Sequence, residues 1–68
     1  MAGVIYFNKQ PLAAAKNLKL ADLLKRMHRE AARTVVTVDG EFIAVPEYRG
    51  FIVRDGARVE AWELQDGG

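Results

Sequence analysis

Two short hydrophobic runs at the start of the chain are separated by a polar, turn-like segment. The run 4–7, Val-Ile-Tyr-Phe, is β-branched and aromatic and predicts a strand. Asn8 to Pro11 is typical of a turn. The run 12–15 predicts a short second strand, although its alanines also suit a helix. The chain therefore begins with a strand and a turn, followed by a second strand or a short helix.

A single amphipathic helix is predicted from Leu20 to Ala32. Apolar residues recur at i, i+3, i+4, i+7 and i+11, which places them on one helical face. These residues are Leu20, Leu23, Leu24, Met27 and Ala31. Lys19 occupies the position where a capping side chain is preferred, so we expect no N-cap unless Asn17 caps an earlier start.

Three further strands are predicted in the second half of the chain. They are residues 34–38, 42–45 and 58–64. The pair Asp39-Gly40 favours a tight hairpin turn between the first two strands, and Pro46 ends the second. Asp55-Gly56 marks a turn before the last strand. The order β-β-α-β-β-β indicates one α+β domain, in which one helix covers one face of one sheet.

The two periodicities also predict a hydrophobic core. Its expected members are Ile5, Phe7, Leu20, Leu23, Leu24, Met27, Val36, Val38, Val45, Val59 and Ala61. Side chains alternate along a strand, so Glu60, Trp62 and Leu64 share the face opposite the core. There Trp62 and Leu64 form a docking patch for a partner, since tryptophan is enriched at interface hot spots. The alternative is that Trp62 covers a neighbouring strand or fills an edge of the core.

Composition excludes several functional classes. The chain has 68 residues and no cysteine, so disulfides and thiolate metal sites are excluded. Ten basic and nine acidic residues give a net charge of +1, which argues against a nucleic-acid-binding surface. We find no signal peptide and no apolar run of the ~18 residues that a membrane span requires. We expect a cytoplasmic protein.

Candidate catalytic chemistry is sparse. His28 is the one histidine, and no second ligand follows at helical spacing, so a metal or acid-base role is disfavoured. No Ser-His-Asp set can be nominated from the sequence. The helix region carries four basic residues, Lys25, Arg26, Arg29 and Arg33. This run is either a solvated helix flank or a partner surface.

The sequence ends on Gly67-Gly68. Glycine has no Cβ, so such a segment can enter a narrow channel in extended form. The alternative is an ordinary frayed terminus. We expect residues 1–64 to form the folded domain and residues 65–68 to form a flexible diglycine tail.

In order and spacing, several segments resemble the ubiquitin-like, β-grasp sulfur carriers of the ThiS type. The segments are Ile5–Asn8, Leu20–Leu24, Val45-Pro46, Ile52–Gly56 and the terminal Gly67-Gly68. The resemblance implies a mixed four- to five-stranded sheet packed on one helix. It also implies a carrier that is not itself an enzyme, binds no cofactor of its own and is a monomer when free.

The resemblance further implies a reaction at Gly68. A ubiquitin-activating-type partner enzyme (ThiF/MoeB-like) uses ATP to adenylate the terminal carboxylate, and a sulfur donor converts it into a thiocarboxylate. A thiazole synthase or another acceptor enzyme then takes the sulfur, for thiamine biosynthesis in the ThiS case. Gly67 lets the tail thread into the partner, and Glu60, Trp62 and Leu64 dock the folded domain.

Other functions remain open from the sequence. Carriers of this type also serve molybdopterin, cysteine or methionine synthesis and tRNA thiolation. A second class is a covalent modifier, in which Gly68 forms an isopeptide bond with lysines of other proteins. A third is a non-covalent interaction module in which the diglycine is incidental.

Overall fold

The computed structural model describes residues 3–64. The strands are β1 Gly3–Phe7, β2 Gln10–Ala14, β3 Leu18–Lys19, β4 Thr34–Val38, β5 Glu41–Ile43, β6 Ile52–Val53 and β7 Arg58–Glu63. The helix α1 is Leu20–Arg26, and two 3-10 turns lie at Ala31–Arg33 and Val45–Glu47. The predicted tail, with Gly67 and Gly68, lies outside the described residues.

Five strands form one mixed sheet in the order β2-β1-β7-β4-β5. Strands β1 and β7 are parallel, and the other neighbours are antiparallel. Strands β3 and β6 pair separately in a small two-stranded sheet that the sequence pattern did not predict. Residues of α1 and of one face of the large sheet form a single core, which confirms the predicted sheet packed on one helix.

The first hairpin is tighter than predicted. Its turn consists of Asn8 and Lys9 alone, with φ of 49° and 70°, rather than of residues 8–11. Strand β2 already includes Gln10 and Pro11 and continues to Ala14. The run 12–15 therefore begins as a strand and not as a helix. Strand β2 is an edge strand, where the missing N–H of a proline is tolerated.

The helix is shorter than predicted, because it ends six residues before Ala32. His28 adopts φ of 58°, and its N–H donates to the Lys25 carbonyl at 3.1 Å. The Arg29 N–H donates to the Leu24 carbonyl at 2.7 Å. These two bonds form a Schellman motif, which closes a helix through a left-handed residue that is usually glycine. Since histidine occupies that position, the sequence carries no stop signal there.

The start of the helix agrees with the sequence. Lys19 is the N-cap residue and makes no side-chain capping bond. Asn17 does not cap an earlier start, because it lies in a turn with φ of 62° before β3.

Most of the predicted core is buried, with two exceptions. Met27 is only partly buried at the end of the helix. Val45 is 45% exposed, because β5 ends at Ile43 and Val45 begins a 3-10 turn instead of extending the strand. The core also contains residues that were not predicted: Ala14, Ile43, Tyr48, Val53 and Ala57.

Tyr48 anchors the connection between β5 and β6. Its side chain is 2% exposed, and its hydroxyl donates to the Thr34 carbonyl at 2.7 Å. Its own carbonyl accepts from the Ala21 N–H in α1. Burial raises the pKa of the Tyr48 hydroxyl, so the phenol stays neutral and keeps its proton for this bond.

Replacing a helical core leucine should remove much of the stability. Leu24 is 1% exposed, so Leu24→Ala should lower the free energy of unfolding by about 2–5 kcal/mol. The same substitution at Leu64, which is 57% exposed, should cost less than about 1 kcal/mol. Urea unfolding of both variants measures the difference. Equal losses would contradict the assignment of the helical face to the core.

Glycine at the helix end should stabilise the protein. His28→Gly relieves the left-handed strain at φ of 58° and should raise the free energy of unfolding by about 0.5–1 kcal/mol. His28→Ala keeps the strain and should bring no gain. Thermal unfolding of both variants tests this expectation, which is wrong if glycine destabilises the protein relative to alanine.

Candidate functional site

The two faces of β7 differ in their exposure to solvent. Val59 and Ala61 are 0% and 5% exposed in the core. Trp62 and Leu64 are 51% and 57% exposed. This confirms the alternation predicted for this segment and places Trp62 and Leu64 on the face of the sheet opposite α1, called here the open face.

The open face collects most of the exposed large hydrophobic side chains in residues 3–64. Residues directly opposite each other on paired strands share a face. Trp62 pairs with Val35, and Thr37 pairs with both Glu60 and Phe42, so Phe42 joins the same face. We call the exposed apolar side chains of this face the open-face patch: Val4, Tyr6, Phe42, Trp62 and Leu64.

Phe42, like Val4 and Tyr6, was not predicted from the sequence to belong to this surface. It is 67% exposed, the highest value among these side chains. The sequence pattern predicts one strand over residues 42–45, with Val45 in the core. Strand β5 in fact runs from Glu41 to Ile43 with Ile43 buried, so the alternation within β5 points Phe42 outwards.

Glu60 contributes the carboxylate predicted for this surface. It is partly buried and lies on the open face, two residues before Trp62 on the same strand. Within the part of the chain that the structure describes, no three His, Cys, Asp or Glu side chains gather as a metal site would require. An exposed apolar patch with a polar side chain beside it has the composition of a protein interaction surface.

The end of β7 is held on both sides. The Leu64 N–H donates to the Arg33 carbonyl at 2.7 Å and extends the pairing with β4. The Arg29 guanidinium lies 3.8 Å from the Glu63 carboxylate. Both contacts lie near the end of the described residues, whereas Gly67 and Gly68 lie outside them.

The basic run does not form one helical flank, because α1 ends at Arg26. The Arg26 guanidinium donates to the Ala13 carbonyl at 2.8 Å, and Arg29 pairs with Glu63. Arg26 lies on the helix and is exposed, which agrees with the predicted solvated flank, whereas Arg29 is partly buried beyond the end of the helix. His28 is exposed at the left-handed position after the helix rather than within it. Across residues 3–64, no helix has the length and apolarity needed to cross a membrane.

Among solved structures, one similar to this chain is the crystal structure of the thiamine biosynthesis protein ThiS from Geobacter metallireducens. The two share a TM-score of 0.81 and 25% sequence identity, and the match covers 96% of this chain and 99% of that one. This confirms the predicted β-grasp fold and the predicted likeness to ThiS. Neither a protein-family model nor a curated protein sequence matches the chain.

Proposed function

Because the chain is ThiS-like over nearly its whole length, we propose that it is a sulfur carrier rather than an enzyme. The carboxylate of Gly68 is adenylated and then converted into a thiocarboxylate, whose sulfur is used to build the thiazole of thiamine. The observation that carries the proposal is the full-length structural match to a thiamine biosynthesis protein. On this proposal, Gly68 supplies the carboxylate on which the chemistry acts, and Gly67 precedes it.

In the proposed chemistry, adenylation makes the Gly68 carboxylate reactive towards a sulfur nucleophile. A carboxylate is a poor electrophile, so its oxygen first attacks the α-phosphorus of ATP and releases pyrophosphate. The acyl-adenylate now has AMP as a leaving group, which a persulfide sulfur displaces. Cleavage of the resulting acyl disulfide by a thiol leaves the thiocarboxylate. The chain itself contains no cysteine, so on this proposal its sulfur is carried at Gly68.

ATP and the sulfur donor are handled by the partners. A ubiquitin-activating-type enzyme binds ATP and receives the diglycine, and a thiazole synthase or another acceptor enzyme receives the sulfur. The open-face patch is the surface on which we place the activating enzyme. Trp62 and Leu64 supply apolar contact area next to the segment that leads to Gly68, and Glu60 adds a carboxylate to the same surface.

Changes at the two terminal glycines should abolish activation. Deleting Gly68 removes the acceptor carboxylate from its place, and Gly67→Val puts a stiff, β-branched side chain where the channel admits glycine. Both variants should lose ATP–pyrophosphate exchange with the cognate activating enzyme. Gly50→Val is a matched control, because a Cβ at Gly50 meets nothing within 4 Å. Circular dichroism checks the fold of all three, and full exchange in the Gly68 deletion would end the carrier proposal.

Removing the indole from the open-face patch should weaken docking. Trp62→Ala should cost ~2 kcal/mol of binding free energy, or roughly thirtyfold in Kd for the activating enzyme. Val45→Ala is the control, because Val45 is 45% exposed but lies outside the strands of the sheet. Isothermal titration calorimetry compares the two. If both variants bind as the unchanged chain does, the open face is not the docking surface, and the carrier proposal is unaffected.

A further inference from the structure

Strand β1 supports only the first part of β7. The parallel pairing covers Tyr6 with Arg58 and Phe7 with Val59. The Asn8 N–H then donates to the Val59 carbonyl at 2.8 Å, after which the chain turns away into β2. The next backbone groups of β7 that point to this side belong to Ala61.

The Asn8 side chain continues the hydrogen bonding to β7 beyond the point where the backbone of β1 stops. Its Oδ1 accepts from the Ala61 N–H at 2.8 Å, and its Nδ2 donates to the Ala61 carbonyl at 3.3 Å. A primary amide offers the same donor and acceptor as a peptide group, so this side chain substitutes for one further strand residue. Asn8 has φ of 49°, a left-handed conformation that asparagine tolerates better than most residues.

Arg29 approaches the side chain of Glu63, which lies on the same face of the sheet as that of Ala61. Its Nη1 lies 3.8 Å from the Glu63 Oε2, and its guanidinium lies 5.8 Å from the centre of the Phe7 ring. Its backbone is fixed by the bond from its N–H to the Leu24 carbonyl. The end of the helix, a core aromatic ring and the end of β7 therefore meet at Arg29.

We propose that Asn8 and Arg29 are positioning residues for the reaction at Gly68. They fix the end of β7 and so set where the C-terminal segment leaves the sheet relative to the open-face patch. Trp62 and Leu64 alternate along β7 with Ala61 and Glu63, the residues that are held. If Ala61 and Glu63 were held less firmly, the patch would still dock, but the reacting carboxylate would be misplaced. Small misplacements of a reacting group can lower the rate by up to ~100-fold. This inference rests on the proposed function.

The test distinguishes the effect of losing the Asn8 side chain from the effect of changing the turn in which Asn8 lies. Asn8→Gly deletes the amide and keeps a residue that suits positive φ. Lys9→Gly is the matched control in the same turn, where φ is 70°. Arg29→Gln removes the charge near Glu63, and Arg26→Gln is its control, because Arg26 bonds instead to Ala13 on β2.

Two measurements are made on each variant. The first is ATP–pyrophosphate exchange with the activating enzyme, resolved into kcat and KM for the carrier. We expect kcat to fall about tenfold in Asn8→Gly and less in Arg29→Gln, with KM within about threefold of the unchanged chain. The second is amide hydrogen exchange of Leu64 in the free protein, which should accelerate in both variants and in neither control.

The outcomes are distinct. Unchanged kcat in Asn8→Gly overturns the proposal, even where its melting temperature falls, because a purely structural residue would lower stability alone. An unchanged rate of amide hydrogen exchange at Leu64 in Asn8→Gly and Arg29→Gln also overturns the proposal. If the unchanged chain is not adenylated at all, the proposed function fails and the positioning role fails with it. The exchange at Leu64 then still decides whether Asn8 and Arg29 hold the end of β7.

Discussion

Strand β7 lies between β1 and β4 in the sheet, and its register determines what each surface of the protein presents. Side chains alternate, so a slip of one residue would bury Trp62 and expose Val59. The pairing of β7 with β4 from Thr34↔Glu63 to Val38↔Val59 prevents this slip. The hydrophobic core and the open-face patch both depend on this register.

Local patterns were sufficient for the elements that carry their own signals. The β-branched run at β4 and the Asp39-Gly40 turn, with φ of 51° and 84°, lie where the sequence placed them. The outward side chain of Trp62 followed from simple alternation. The end of the helix could not be predicted in this way, because His28 occupies a left-handed position that glycine usually marks.

Other features depend on contacts between distant segments. Tyr48 is buried because it bonds to Thr34 and Ala21, and neither contact leaves a periodic pattern in the sequence. The two bonds of Asn8 join residues 53 positions apart, so a local reading assigns Asn8 only to a turn. The same residue therefore closes a hairpin and supports the end of β7, and only the structure shows the second role.

If Gly68 carries sulfur as proposed, intact and fragment mass spectrometry of the protein purified from its native host should detect it. We expect a fraction of the chain that ends at Gly68 and is heavier by ~16 Da at the terminal residue, as replacement of oxygen by sulfur requires. Gly-Gly branches on lysines of other proteins without any such terminal species would contradict the carrier proposal in favour of a covalent modifier. A terminus that is never modified would leave a non-covalent β-grasp module.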